Sequence, residues 1–374
     1  MTNQTASAGT NQIVAYAADA NGQLTAVPGS PFNQNVYSLA AHGTYLLASS
    51  NSGPDINSYT IGSNGALTLG PQFNYSQDTG YLSSTNSGCG GVGGLLFDQS
   101  GQTLYGDVDN ISCSNNNAIA SFTFNSSNGS LSYLGNVNIG YDSSADISFL
   151  GNNAYAYSAL YDACMFGGLS SFARGVSGLL TGFIAAVTPS RGPAAPPGAT
   201  SAGVASPGYW DGRTAGDTTN HVVIAEFPCF EQSGVVVTQV QLATYTADAN
   251  GALSTTDTYA TMPATTAITD SFGDMKISPS GTLLAVAGRQ GLQVFHFNGA
   301  KPITSFTSLL ATGDISQVSW DNDNHLYAIT GNPQIGGANP GKLYVFTVTD
   351  TSASASPGSP YTITTPLALA VQSE

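Results

Sequence analysis

The chain has 374 residues, only 8% of them charged, with seven Lys plus Arg against 22 Asp plus Glu for a net charge of −15. This acidic balance, with no Lys/Arg cluster anywhere, excludes the basic footprint that nucleic-acid phosphates require. No run of 18 apolar residues is present to span a membrane, while 41% hydrophobic residues with 16 Phe and 18 Tyr supply a core and argue against disorder.

In chain order, Met1 is followed by a polar stretch without an apolar leader, so residues 1–10 are expected to be a disordered tail that pairs with nothing. Met1 then reads as a start added to a mature protein whose signal segment is absent. Hydroxyl and amide side chains fill the polar positions in place of charge. That composition fits an extracytoplasmic protein, whether periplasmic, cell-surface or secreted.

A repeat begins immediately after the tail. Ala15-Tyr16-Ala17-Ala18-Asp19-Ala20-Asn21-Gly22-Gln23-Leu24 returns as Thr244-Tyr245-Thr246-Ala247-Asp248-Ala249-Asn250-Gly251-Ala252-Leu253. Between these copies lie Ser58-Tyr59-Thr60-Ile61 with Asn64-Gly65-Ala66-Leu67, Ser121-Phe122-Thr123-Phe124 with Asn128-Gly129-Ser130-Leu131, and a weaker copy from Ser171-Phe172 to Gly178-Leu179. Val294-Phe295-His296-Phe297 and Val345-Phe346-Thr347-Val348 are shortened copies, so the spacing runs from about 43 to 73 residues. Alternation around an aromatic residue predicts a half-buried strand, Asn-Gly supplies the tight turn, and Gly-x-Leu opens the next antiparallel strand.

Upstream of most copies stands a second hairpin, of the form apolar strand, Pro/Asp/Asn/Gly turn, apolar strand. Examples are Leu95 to Tyr105, Ile147 to Tyr157, Met275 to Val286 and Val318 to Ile329. Four strands per unit and seven units predict an all-β fold, a seven-bladed β-propeller of four-stranded antiparallel blades. The C-terminal Pro366-Leu367-Ala368-Leu369 reads as an inner strand, so N- and C-terminal strands in one blade would close the ring and remove exposed edges. Residues 11–374 are thus expected to form a single domain, with a long Gly/Pro-rich insertion near 165–220.

Four cysteines allow three connectivities. Cys89 and Cys113 fall within one repeat, and Cys164 and Cys229 bracket the insertion, which makes 89–113 and 164–229 the preferred pairs in an oxidising compartment. No cysteine pair has zinc-ligand spacing with a histidine. Gly88-Cys89-Gly90-Gly91-Val92-Gly93 satisfies G-x-G-x-x-G, but a β-strand rather than a helix follows, so it is no dinucleotide site.

The blade-end runs Val27-Pro28-Gly29-Ser30-Pro31-Phe32 and Pro357-Gly358-Ser359-Pro360-Tyr361, with the Ile277 to Val286 inner hairpin, resemble the lactonase-type seven-bladed propellers. That family includes 6-phosphogluconolactonase-like proteins and carboxymuconate-cyclising enzymes. The resemblance implies the fold over nearly the whole chain. For an enzyme it also implies a His, Arg and Glu cluster at the propeller axis. The Gly-Pro-Arg-His run usual in such enzymes is absent here.

A binding or scaffold protein is therefore the first reading, its ligand a small molecule, saccharide or protein at the channel mouth, with a monomer expected. The alternative is a lactonase or cycloisomerase acting on a small organic acid. There Glu226 or His221 would be the general base, and Arg174, Arg213 or Arg289 would neutralise the substrate. Asp146 and Asp274 precede inner strands at equivalent positions, with Asp314 close to the corresponding place. They are candidate ligand-binding carboxylates at the mouth, able to hold a divalent cation such as calcium through oxygen ligands, although no cofactor is required. Tyr209 and Trp210 are the aromatic residues that a saccharide groove would need exposed.

Overall fold

The computed structural model describes residues 1–4, 11–50, 55–74, 78, 92–108, 117–140, 147–151, 154–159, 169–187, 193–202, 207–270, 273–331 and 341–372. Among these residues every regular element is a β-strand. The chain divides into two compact units, one of residues 1–141, 175–180 and 316–374, the other of residues 142–174 and 181–315.

One sheet plan recurs in both units. Residues 36–74, 92–140, 147–187, 209–254, 273–305 and 315–355 each build a sheet whose first four strands lie side by side in chain order. The alternation read from the sequence buries the expected aromatic residues: Tyr59, Phe122, Phe172, Tyr245, Phe295 and Phe346 are all buried. Packing is between sheet faces. In the first unit Leu47, Phe73, Leu104 and Phe122 share one apolar cluster, and in the second Ala225, Leu242, Leu284 and Phe295 share another.

The termini depart from expectation. Thr2–Gln4 is a strand lying between Asn11–Ile13 and Pro366–Ala368, antiparallel to both, with Thr2 opposite Ile13 on one side and Ala368 on the other. The Val14 amide donates to the Met1 carbonyl at 2.7 Å. The expected unpaired tail over residues 1–10 is therefore corrected for its first four residues. Thr-Asn-Gln carries no apolar alternation, and what places it is the backbone edge of two neighbouring strands.

The stretch near 165–220 is also less of an insertion than its composition suggests. Leu169–Arg174 and Leu180–Val187 are sheet strands, and Tyr209–Gly216 is the first strand of the next sheet. The true addition is a small sheet in which Thr200–Ser201 and Val235–Val236 flank Phe230–Gln232.

The blade-end motif has a mechanical role. Ser30 Oγ accepts the Ala15 amide at 3.0 Å, and Ser359 Oγ accepts the Val345 amide at 2.9 Å. Thr307 Oγ1 does the same for Val294 and Asp257 Oδ2 for Thr244. Each of these amides immediately precedes the aromatic residue of its repeat. One returning side chain thus satisfies a strand N–H that the short outer strand leaves open.

Neighbouring sheets meet at the outer turns. Gly22, Gly65, Gly129, Gly178 and Gly251 all hold positive φ, between 77° and 95°. A Cβ on Gly22 would stand 2.6 Å from Ser356 Oγ and 2.8 Å from the His325 ring, and one on Gly129 would stand 2.6 Å from the Tyr45 ring. A Cβ on Gly65 would meet Val27 at 3.2 Å or nearer, one on Gly178 would run into Thr103, and one on Gly251 into Tyr155. Tyrosine hydroxyls complete two of these contacts, Tyr105 donating to the Gly178 carbonyl at 2.6 Å and Tyr157 to that of Gly251 at 2.8 Å.

Glycine is thus required twice over, for its backbone and for its missing side chain. Gly281 has φ +71° but open space around it, so Gly281→Ala should cost only the left-handed penalty of about 1 kcal/mol. Gly251→Ala should cost at least about 1 kcal/mol more, because the methyl group also displaces the Tyr155 ring. Denaturant unfolding of the two variants measures this, and equal losses would refute the sheet-to-sheet contact. Removing residues 1–4 should lower the melting temperature as clearly as removing residues 366–372. An unchanged melt for the N-terminal truncation would contradict the strand at Thr2–Gln4.

Candidate functional site

His221 opens the second strand of the 209–254 sheet, at the end where the Asp217 turn reverses the chain. Its amide donates to Asp217 Oδ1 at 2.9 Å, and its Nδ1 lies 2.8 Å from Asp217 Oδ2. The same arrangement recurs in the 315–355 sheet, where the His325 amide donates to Asp321 Oδ1 and His325 Nδ1 lies 2.8 Å from Asp321 Oδ2. Asp-x-x-x-His is therefore a turn staple in this chain, with one carboxylate holding both backbone and ring. Asp321 to Asn324 belongs to this turn, in line with its reading as an Asp/Asn turn.

Glu226 lies five residues farther along the strand, about 16 Å at 3.3 Å per residue, and towards the opposite end. The two residues read as alternative general bases, His221 and Glu226, are thus held apart. The odd spacing directs their side chains to opposite faces, and the His221 ring is already committed to Asp217.

Glu226 instead faces Asp211, its cross-strand partner on Tyr209–Gly216. Asp211 is 8% exposed and Glu226 0%. Tyr245 donates its hydroxyl to Glu226 Oε1 at 2.5 Å, while Glu226 Oε2 is buried with no hydrogen-bond partner among the described residues. Gln241, opposite Glu226 on the other side, accepts the Tyr209 hydroxyl at 3.1 Å and donates to the carbonyls of Tyr259 and Met262.

Burial pushes the Asp211 carboxyl up to about 7. Burial, then the charge of Asp211, drives Glu226 well above the usual carboxylate range, opposed by the Tyr245 hydrogen bond. Burial and the charge of Glu226 push the Tyr245 hydroxyl up in turn. Both shifts favour the protonated carboxyls over the charged ones.

The other candidates fall into separate groups. Arg289 forms an ion pair with Asp270. Burial raises the Asp314 carboxyl, while the Arg289 charge draws it back down. Asp274 pairs with Lys276 at 3.1 Å. Arg174 closes its strand at the outer-turn end, its amide bonded to the Ala154 carbonyl at 2.8 Å, and Arg213 is half-buried beside the register shift in Tyr209–Gly216. Asp146 lies outside the described residues, as do Cys89, Cys113 and Cys164; Cys229 is buried.

Among the described residues no three His, Cys, Asp or Glu side chains group as a metal site. No helix is long and apolar enough to cross a membrane. Tyr209 is buried against Phe230, and Trp210 stacks on Phe227 with ring centroids 4.8 Å apart. The expected exposed aromatic groove is therefore not formed by this pair. Asp211 escaped the sequence reading because 209–212 was assigned to the insertion. Counting register outward from the 217–221 turn sets Gly212 opposite Glu226; only the register shift between Asp211 and Thr214 brings Asp211 there.

No protein-family model matches the chain, and no curated protein does. Solved structures do match. A functionally unknown protein from Desulfotomaculum acetoxidans superposes with a TM-score of 0.55 at 10% identity, over 98% of this chain and 99% of that one. The Cps50 (Swd1) β-propeller domain from Myceliophteria thermophila gives 0.53 at 10% identity, over 90% of each chain. The periplasmic gluconolactonase PpgL of Pseudomonas aeruginosa gives 0.46 at 13% identity, over 93% of this chain and 80% of that one. At such identities the likeness is one of fold: the chain folds as a β-propeller, in agreement with the lactonase-type resemblance of its blade motifs.

A double-mutant cycle separates the staple from the buried pair. Asp217→Asn and His221→Gln should couple by at least about 0.5 kcal/mol in stability, whereas His221→Gln and Glu226→Gln should add within about 0.5 kcal/mol. Strong coupling between His221 and Glu226 would contradict their separation on opposite faces of the strand.

Proposed function

We propose that this chain is a seven-bladed, ring-closed propeller that binds a small organic ligand where its inner strands begin. The repeated contact of an outer-turn glycine with the preceding sheet supports seven blades. Ring closure is supported by Thr2–Gln4 lying between Asn11–Ile13 and Pro366–Ala368, from the two ends of the chain. An extracytoplasmic location, with disulfides 89–113 and 164–229, remains part of this proposal.

One observation carries binding over catalysis: His221 is held at the turn by Asp217, away from Glu226. The charged groups near the starts of the 273–305 and 315–355 sheets, Arg289 with Asp270 and Lys276 with Asp274, suit a polar ligand. The lactonase reading has its own support in Asp211, whose carboxyl at about 7 could serve as a general acid or base near neutrality.

Titration with a panel of sugar lactones and their hydroxy acids, followed by calorimetry and by proton release, distinguishes the two. Binding of an acid or lactone without turnover, weakened about tenfold or more by Arg289→Ala, is the expected result. Turnover abolished by Asp211→Asn would establish the lactonase instead. Binding of no member of either class would overturn the small-acid proposal.

A further inference from the structure

We propose that Asp211 and Glu226 form a proton-operated latch, which holds one end of the 209–254 sheet closed in acid and loosens it as the pH rises. The inference is independent of the ligand. It starts from the cross-strand register that sets the two carboxyl groups face to face. Their surroundings offer little to an anion. Glu226 Oε1 takes the Tyr245 hydroxyl, and Oε2, fully buried, takes no partner among the described residues. A carboxylate in that position would bury an unsatisfied charge, whereas the protonated group buries none.

The elements packed around the pair supply no compensating charge to Glu226. On Gln241–Ala247 the facing groups are Gln241 and Tyr245. The segment after that sheet brings Tyr259 and Asp257, and Asp257 is itself an acid, held by the Thr244 amide and the Thr261 hydroxyl. From the first strand of the next sheet come Asp274 and Lys276, which are bonded to each other. On the pair's own strand stands Arg213, beyond the point where the register shifts. Besides burial, the charges acting on Glu226 are those of Asp211 and Asp257, and both favour its protonated form.

The sign follows from linkage. Both carboxyl groups ionise above their ordinary values in the folded protein, so their stabilising contribution is complete below the unfolded values, near pH 4. It is lost progressively as the pH climbs through about 7 for Asp211, with Glu226 likewise raised well above its ordinary range. Between these limits the unfolded chain holds fewer protons than the folded one. Each retained proton makes unfolding tenfold more favourable per pH unit. The first strands to part are Tyr209–Gly216 and His221–Pro228 at the Tyr209/Pro228 end, where the pair sits.

The test is chemical denaturation from pH 5 to pH 9 on the wild type, Asp211→Asn and Glu226→Gln, with amide hydrogen exchange on the wild type. The expected result is a wild-type stability that falls with pH and a slope reduced by up to one proton in each variant. Protection at 209–211 and 226–227 should fall with pH beyond the intrinsic base-catalysed rate, measured against 283–287 as an internal reference. An identical slope in all three proteins would overturn the latch, as would uniform exchange across both segments. Should either variant fail to fold, the exchange experiment on the wild type decides alone.

Discussion

The contact on which both units depend is a glycine pressed against its neighbour's side chain. In sheet after sheet the outer turn needs positive φ, and the place where a Cβ would stand is already taken, by Tyr45, Thr103, Tyr155 or His325. Sheets stacked face to face are held mainly by non-directional apolar packing. The turn contacts add a definite stop, with tyrosine hydroxyls on turn carbonyls at Gly178 and Gly251 to set the height of each sheet against the next. His221 and His325 belong to the same system. Each is tied to an aspartate of its own turn, and each meets a glycine of another outer turn, Gly299 in one case and Gly22 in the other.

This gives His221, a candidate base in the sequence, a structural role at its turn. The staple satisfies the Nδ1 side of the ring and fixes it within the turn. Histidine also fills the gap beside a glycine better than a smaller residue would. Asp257 is a parallel case: an acid near a buried carboxyl pair, yet its position matches that of Ser30, Thr307 and Ser359, each accepting the amide before a repeat aromatic. Comparing repeats therefore separates structural polar groups from candidates for function. Asp211 and Glu226 remain after that subtraction, because no other sheet places two buried acids across from each other among the described cross-strand pairs.

Local chemistry was legible wherever the signal lay in consecutive residues. The aromatic alternation, the Asn-Gly turns and the inner hairpins all identified strands that the structure contains. The strand at Thr2–Gln4 was not legible, since three polar residues carry no period and their partners are at position 11 and at position 366. Tyr209–Gly216 was obscured by neighbouring Gly and Pro, which mimic loop composition while serving a bulged inner strand.

What the sequence determined by itself was the repeat, and through it the kind of sheet, the turn chemistry and the residues that would be buried. Those depend on dihedral preference and on polar and apolar alternation, which act over a few residues. Tertiary structure alone decided which charges meet: His221 with Asp217 rather than Glu226, Asp274 with Lys276, Arg289 with Asp270, and Asp211 with Glu226. Electrostatic partners depend on register and burial. A shift of one residue in a strand turns a side chain to the other face, and desolvation depends on everything packed around it.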